Sequence, residues 1–325
     1  MRHARSDHRR SPRAFTLVEL LVVVAILGLL AVAVLPILSN TADARRTREA
    51  TRIITSYIAK SQSRAIGKTE WAGFWLAPPA SNTAAPFAID LFMASVPTAY
   101  RGNTPAATIT VVSGSTLTTG LPSAALGDLI RFDGQPPWYE MVSGTSFRLR
   151  GDNSFLSGST ADDDAGHTSL NTPWPSSAPH TFELLRSPRR AGSPLSLADG
   201  RCVDLFWSGQ GSASSYTPFN ASPGNIAALF DGTGRLRQLY WNGTRVNVSG
   251  PLFLLIGRTD RAGQSMATLS TTDDSLGANW QYSDSFWIAI DPLSGIAKSA
   301  ECKPSATSVV DSQEFIRSEI LASGR

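Results

Sequence analysis

Residues 15–38 read FTLVELLVVVAILGLLAVAVLPIL, a run of 24 residues in which Glu19 is the only charged side chain. As an α-helix with a rise of about 1.5 Å per residue, the run is ~36 Å long, whereas a hydrocarbon core is about 30 Å thick. The run therefore predicts a helix that spans a membrane. Placing a carboxylate inside the membrane costs a free energy on the order of 3 kcal/mol, so the presence of Glu19 needs a functional explanation.

The positive charge of the chain is concentrated ahead of this run. Residues 1–14 contain five arginines and one aspartate, and without them the net charge of +3 becomes about −1. The sequence pI of 9.0 thus describes a basic leader. A basic surface that covers the whole protein is not supported, and nucleic acid is not predicted as a partner.

Two common interpretations of such an N-terminus leave Glu19 unexplained. The first is a cleaved secretory signal peptide, with Ala31, Val32 and Ala33 as the cleavage pattern, although the apolar part of a signal peptide usually has only about 7 to 15 residues. The second is a plain membrane anchor. Either one would be compatible with a signal-anchored surface enzyme.

The residues around the start of the run support a third interpretation. RAFTLVEL at residues 13–20 follows a basic leader and opens the apolar helix. It resembles the leader motif of type IV prepilins and type II secretion pseudopilins. The resemblance implies that prepilin peptidase cuts between Ala14 and Phe15 and that Phe15 becomes the methylated N-terminus. The family most often has Gly before the cut, where this chain has Ala14.

The resemblance also suggests a role for Glu19. When mature helices pack side by side in a filament, this carboxylate can neutralise the terminal ammonium of Phe15 on a neighbouring subunit. The alternative is local, because Thr16 and Glu19 have the spacing of a capping box, which would satisfy the first N–H groups of the same helix. The resemblance also implies that the leader is cytoplasmic and that the single-pass protein lies in the bacterial inner membrane with its head in the periplasm or outside.

Apolar residues at spacings of three and four continue the helix beyond the span, and they predict an amphipathic helix over 39–67. The predicted stripe consists of Ala50, Ile53, Ile54, Tyr57, Ile58, Ser61 and Ala65. From 68 to 325, short apolar runs alternate with turn residues, which is typical of antiparallel strands. The fold class is therefore α+β, and the resemblance makes it pilin-like, with a long N-terminal helix packed on the sheet of a head.

Eleven strands and one helix are predicted in the head. The strands are Phe87–Leu91, Thr108–Val112, Leu129–Phe132, Trp138–Val142, Phe147–Arg150, Thr181–Leu185, Cys202–Trp207, Ile226–Phe230, Arg235–Trp241, Leu252–Ile256 and Phe286–Asp291, and the helix is Asp311–Leu321. The stretch of about 101–175 contains its own strands and a segment rich in Ser, Asp and Gly, so we interpret it as a β-rich insertion. The remaining segments, such as CVDLFWSG at 202–209, look similar to the minor, H-type pseudopilins.

Catalytic and metal-binding patterns are sparse. His3 and His8 lie in the leader, while His167 and His180 lie in loop-like sequence, so no nucleophile, base and orienting group come together, and we predict no enzyme. No cofactor is predicted apart from calcium, which the heads of pseudopilins can bind and which favours oxygen-rich loops. The calcium hypothesis rests on Asp162, Asp163, Asp164, Asp273 and Asp274, and its alternative is a set of solvated acidic loops.

Two further pairs of residues carry hypotheses. Arg235 and Arg237 would point to one face of a strand, where two guanidinium groups could hold successive phosphates, and GRLR at 234–237 resembles a signature of DNA-uptake minor pilins. A hairpin with two solvated arginines is the alternative. Cys202 and Cys302 could form one disulfide in an oxidising compartment, or remain two buried free thiols.

The partners that the resemblance implies are other pilins or pseudopilins, prepilin peptidase, an inner-membrane assembly platform and membrane lipids. The sequence is compatible with a type II secretion pseudopilus and with a type IV pilus, and with a major or a minor subunit.

Overall fold

The computed structural model of the chain describes residues 17–68, 71–83, 85–113, 116–121, 124–135, 138–149, 178–198, 200–220, 224–269, 275–304 and 306–323. The chain divides into two compact units, of which the first is Met1–Arg45 and the second is Arg46–Arg325. The described part combines helices with antiparallel sheets, so the predicted α+β class is confirmed. The helices are α1 (Leu17–Lys68), α2 (Val309–Ser312) and α3 (Glu314–Ser323).

The first sheet of the second unit has six strands among the described residues. Their spatial order is β10 (Arg189–Ser196), β3 (Asp90–Ser95), β1 (Ala72–Ala77), β13 (Ile226–Phe230), β14 (Leu236–Trp241) and β15 (Thr244–Val246). Its central strands β1 and β13 are almost wholly buried, because both of their faces are covered.

The second sheet contains the longest strand of the described residues, β11 (Arg201–Gln210). Its order is β12 (Thr217–Pro218), β11, β16 (Leu252–Arg258), β17 (Phe286–Ile290) and β18 (Ala297–Glu301), and β2 (Phe87–Ala88) also pairs with β11. One face packs on the main core and the other on a smaller core around Trp287, whose Nε1 donates to Ser312 Oγ at 3.0 Å.

The part of α1 that belongs to the second unit packs against both of these sheets. Ala50, Ile54, Ile58 and Ala65 are at most 2% exposed and share one core with inward residues of the first and second sheets. Ser61 is buried as well, whereas Ile53 and Tyr57 are half-buried at the margin. The predicted stripe is therefore confirmed, with its two margins more exposed than its centre.

The third sheet closes on itself. Its order is β5 (Thr116–Leu117), β4 (Thr108–Ser113), β9 (Pro179–Leu185), β6 (Leu129–Phe132), β7 (Tyr139–Met141) and β8 (Phe147–Leu149). A bridge between Thr116 and Ser146 joins its two ends, and the Leu117 N–H donates to the Thr145 carbonyl at 2.8 Å. We call this closed sheet the barrel.

The barrel has its own aromatic core. The Phe132 ring packs at a tilt against the rings of Tyr139 and Phe147, at centroid distances of 5.6 and 5.3 Å, and all three rings are buried. This core is a separate hydrophobic cluster from the one that contains α1. Closure of the sheet removes the free strand edges that an open sheet of this size would expose.

Candidate functional site

The described part of the first unit exposes almost only apolar side chains. From Leu17 to Leu30, eleven large apolar residues are exposed, with values from 45% for Val23 to 78% for Leu17. A soluble monomer rarely leaves a continuous apolar surface of this size uncovered. This stretch therefore calls for an apolar environment or for partner helices.

Glu19 lies in the first turn of α1, within this apolar surface. A carboxylate there is favoured by the partial positive charge at the N-terminus of a helix. Both hypotheses for Glu19 need residues beyond it. Thr16 of the capping box, and the predicted cut site at Ala14 and Phe15, lie outside the described residues.

Within the described ranges, no helix contains an apolar stretch that is long enough to cross a membrane.

The first residues of the chain also match a known pattern. A family model for the prokaryotic N-terminal methylation motif matches residues 9–35. The chain carries the signal of a type IV prepilin or pseudopilin. The methylation motif includes Ala14, Phe15 and Glu19, and it points to a structural pilin-type precursor. No curated protein and no solved structure matches the chain.

Arg237 lies on β14, and Arg235 lies just before this strand, both on the exposed face of the hairpin. Both are exposed, and Leu236 between them is buried. Arg237 Nε lies 3.2 Å from Asp231 Oδ2, and the backbone N–H of Arg235 donates to Asp231 Oδ1 at 3.1 Å. Part of the charge on this face is therefore already paired within the hairpin.

The glycine of the GRLR sequence has a structural role. Gly234 has a φ of +84°, which favours glycine, and its carbonyl accepts a hydrogen bond from Gln62 Nε2 at 2.9 Å. A Cβ at this position would come within 2.8 Å of Ile66 Cδ1. The turn thus fits closely against α1, and this packing explains the glycine without a ligand.

Asp231 tightens the same turn. Although partial burial alone would raise its pKa, hydrogen bonds from the Thr233 side chain and from the Arg235 and Thr233 backbones lower it below the usual range. Asp231 is therefore ionised at neutral pH and available to neutralise Arg237. The arrangement is that of a self-contained hairpin.

The structure does not bring Cys202 and Cys302 together. Cys202 pairs with Gly257 on β16, while Cys302 follows β18 and donates its N–H to Ser285 next to β17. Three strand spacings of about 4.8 Å separate the two residues, roughly 14 Å in all, whereas a disulfide needs Cα atoms within about 7 Å. Both are buried free thiols, and burial, followed by nearby carboxylates, raises the pKa of each.

The residues of the calcium hypothesis cannot be placed. Asp162, Asp163, Asp164, Asp273 and Asp274 all lie outside the described residues. In the part that the structure describes, no group of three or more His, Cys, Asp or Glu side chains is arranged to hold a metal ion.

His180 lies on a strand, not in a loop as the sequence suggested. It is the second residue of β9, and its Nδ1 contacts Asp133 Oδ2 at 2.5 Å. Asp133 Oδ1 accepts hydrogen bonds from the Thr181 backbone and hydroxyl at 2.9 and 3.0 Å. Asp133 has a φ of +51° in the turn after β6, so these contacts fasten a strained turn to the neighbouring strand.

Sequence reasoning missed a buried carboxylate in the second sheet. Asp204 is fully buried on β11, where it begins the irregularity in the pairing with β16. Its Oδ1 accepts from the backbone N–H groups of Phe206 and Trp207 at 3.2 and 3.4 Å. Its Oδ2 accepts from Asn279 Nδ2 at 3.0 Å and from the Gly263 N–H at 3.3 Å.

These contacts join three separate segments of the head. Burial raises the pKa of Asp204 to about 6, although all four hydrogen bonds favour the charged form. The Asn279 side chain also bonds the backbone of Arg258, as acceptor at 2.8 Å and donor at 3.0 Å. The CVDLFW sequence gives no signal for this role, because an aspartate in a strand usually faces solvent.

Proposed function

We propose that this protein is a minor pseudopilin of a type II secretion pseudopilus, or the equivalent minor subunit of a type IV pilus. The observation that carries the proposal is the methylation motif at residues 9–35, with Glu19 as the only charge in the apolar run that follows the leader. Prepilin peptidase cuts between Ala14 and Phe15, Phe15 is methylated, and the mature subunit waits in the inner membrane before assembly.

The exposed apolar surface of α1 supports assembly through this helix. Before assembly, the side chains between Leu17 and Leu30 are solvated by lipid, and in the filament they pack against the same segment of neighbouring subunits. Because lipid tails are as apolar as these side chains, burial alone does not drive the exchange from lipid to filament. A polar interaction must favour the assembled state.

Glu19 supplies that interaction. A carboxylate in an apolar surrounding gains strongly from a charged partner, and removal of one member of a buried ion pair typically costs about 3–5 kcal/mol. The partner is the ammonium group of Phe15 on an adjacent subunit. This pairing fixes the axial stagger between subunits. It also stabilises each subunit that the assembly platform adds to the filament.

The head is held by the other half of α1, as in a pilin-like fold. Arg48 Nη2 lies 3.0 Å from Glu301 Oε1, and Gln62 Nε2 bonds the Gly234 and Ser294 carbonyls at 2.9 and 2.8 Å. These contacts, together with the buried stripe, support a head that moves as one body with this part of α1. The head lies in the periplasm or outside the cell.

Substitution of Glu19 tests the proposal. In Glu19→Ala we expect normal membrane insertion and normal cleavage, because neither needs the carboxylate, but loss of incorporation into filaments. The readout is the amount of subunit in sheared or cross-linked filaments relative to the membrane fraction.

Glu49→Ala is the matched control. Glu49 is an exposed acid on the same helix, with only a 3.8 Å ion pair to the exposed Arg52, so its removal should leave incorporation unchanged. Normal incorporation of Glu19→Ala would contradict the proposed charge partnership.

A further inference from the structure

A cleft on the barrel is unrelated to the filament contacts of α1. It has a volume of about 430 Å³, within the range that small ligands occupy. Its lining comes from the loop before β4, from β4 itself and from the segment after β5, and it reaches Phe182 of β9, which is buried in the barrel core. All of these elements belong to the barrel or lead directly into it.

The cleft lining combines two aromatic residues with several threonines. The rings of Tyr100 and Phe182 lie 5.9 Å apart at a tilt of 56°. Thr104, Thr108 and Thr119 are exposed residues of the cleft lining, and among the described residues their hydroxyl groups have no hydrogen-bond partner. Their donors and acceptors are therefore available to a ligand.

Asn103 adds an amide to this lining. Its Oδ1 accepts a hydrogen bond from the Tyr100 hydroxyl at 3.1 Å, which orients the side chain and leaves the two N–H groups of Nδ2 to donate. The cleft thus offers fixed amide donors beside hydroxyl groups that can both donate and accept.

None of the described residues that line the cleft is charged. The nearest candidate in sequence is Arg101, but its guanidinium group is bound to Glu183 Oε1 at 2.7 Å and is absent from the lining. A charged ligand would therefore meet no opposite charge among the described residues of the lining. This chemistry selects a neutral ligand.

The lining is held in place before any ligand arrives. The Thr118 hydroxyl and N–H both donate to the Thr110 carbonyl, at 2.7 and 2.9 Å. Tyr100 and Leu184 exchange two backbone hydrogen bonds of 2.9 and 2.8 Å. A preorganised site of this kind binds without a large cost in ordering.

The geometry points to a binding site for a neutral saccharide. A sugar ring presents hydroxyl groups around its rim and apolar C–H groups on its faces, so it can lie against the half-buried Tyr100 while its hydroxyls bond the threonine and asparagine residues of the lining. A neutral peptide is disfavoured, because β4 pairs with β5 on one side and β9 on the other and offers no free edge for strand addition.

Binding can be measured on the full chain in micelles of an amine-oxide detergent, which has no sugar head group to compete. The probes are the tetrasaccharides chitotetraose, cellotetraose and mannotetraose, and the readout is saturation-transfer NMR followed by titration calorimetry. We expect at least one probe to bind with a Kd of ~1 mM or below.

The test variant is the double substitution Thr108→Val and Thr119→Val, which keeps the side-chain shape and removes two hydroxyls. The loss of two hydrogen bonds should weaken binding by about tenfold. Thr244→Val on β15, a strand threonine outside the cleft, is the matched control and should bind like the original chain.

Three results would overturn the inference. They are no binding of any probe at ~10 mM, equal binding by the double variant, and binding of a neutral Ser/Thr/Asn peptide at the same residues in place of the saccharides. Because the measurement uses unassembled protein, its outcome is independent of whether the chain forms filaments.

Discussion

The two stretches of α1 that can be compared differ in where their apolar side chains go. Between Leu17 and Leu30, large apolar residues are exposed in the isolated chain. In the stretch that belongs to the second unit, Ile54 and Ile58 are fully buried in the main core. The apolar surface of the first stretch is therefore accessible to lipid or to other subunits. The apolar surface of the second stretch is already buried within the head.

Under the proposed function, this difference separates the residues that serve assembly from those that serve folding along α1. Substitutions in the first stretch should affect insertion and filament formation, and substitutions in the second should affect the stability of the head. The carboxylates follow the same division under the proposed function, which pairs Glu19 with a neighbouring subunit, whereas Asp204 accepts hydrogen bonds from four donors within the head.

The largest expected effect tests this division with two isoleucines. Ile54→Ala should lower the free energy of unfolding of the head by about 2–5 kcal/mol, because it removes a fully buried side chain and leaves a cavity. Urea unfolding of the full chain in micelles, followed by tryptophan fluorescence, measures it. All eight tryptophans lie beyond residue 70, so the signal reports on the head.

Ile26→Ala is the matched control in the exposed stretch. Ile26 is 51% exposed in the isolated chain, and its truncation should change the unfolding free energy by less than about 0.5 kcal/mol. Equal destabilisation by the two substitutions would contradict the proposed difference between the two stretches of α1.

The next effect concerns the pH dependence of the head. The folded-state pKa of Asp204 is about 6, above its ordinary value of 3.8, so the folded state holds this proton more tightly than the unfolded state. The corresponding stability is fully present below pH ~4 and is lost as the pH rises through about 6. We expect Asp204 to contribute a loss of about 2–3 kcal/mol between these limits.

Asp204→Asn isolates this contribution. The unfolding free energy of the variant should lack the fall between pH ~4 and ~7, while the opposite loss in stronger acid, from carboxylates with lowered pKa such as Asp231 and Asp260, should remain. If the original chain and the variant have parallel pH profiles, Asp204 does not titrate in this window.

The smallest effect concerns the arginines of the hairpin. In Arg235→Ala with Arg237→Ala, we expect a change of less than about 1 kcal/mol in stability, because the Arg237 ion pair is on the surface. Duplex DNA binding by the full chain should be weak at physiological salt and unchanged by the substitutions. A marked, salt-sensitive drop in affinity would favour the DNA-uptake alternative.

Strands with a strong apolar signal could be predicted from the sequence. Ile226–Phe230 and Leu252–Ile256 are apolar runs bounded by turn residues, and both are strands, the second within a slightly longer one. Polar edge strands could not. RRAGSPLS of β10 and AKSAE of β18 have no apolar alternation, because pairing with a neighbour on one side, and not burial, holds them in the sheet.

Features that depend on contacts between residues far apart in the chain could not be predicted from the sequence either. The composition distinguished residues 101–175 from the rest of the head. The closure of the barrel, however, depends on contacts of Thr116 and Leu117 with Thr145 and Ser146, which no local sequence pattern predicts. The cleft depends in turn on that closure. The N-terminal motif was recognisable because it is a short linear sequence, which the family model matches at residues 9–35.

Mass spectrometry of the mature N-terminus tests the central claim most directly. Protein purified from the membrane of a host with an active prepilin peptidase should begin at residue 15 with N-methylated Phe15. An N-terminus at Val34, or an uncleaved leader in such a host, would contradict the assignment of this chain to the pilin-type precursors.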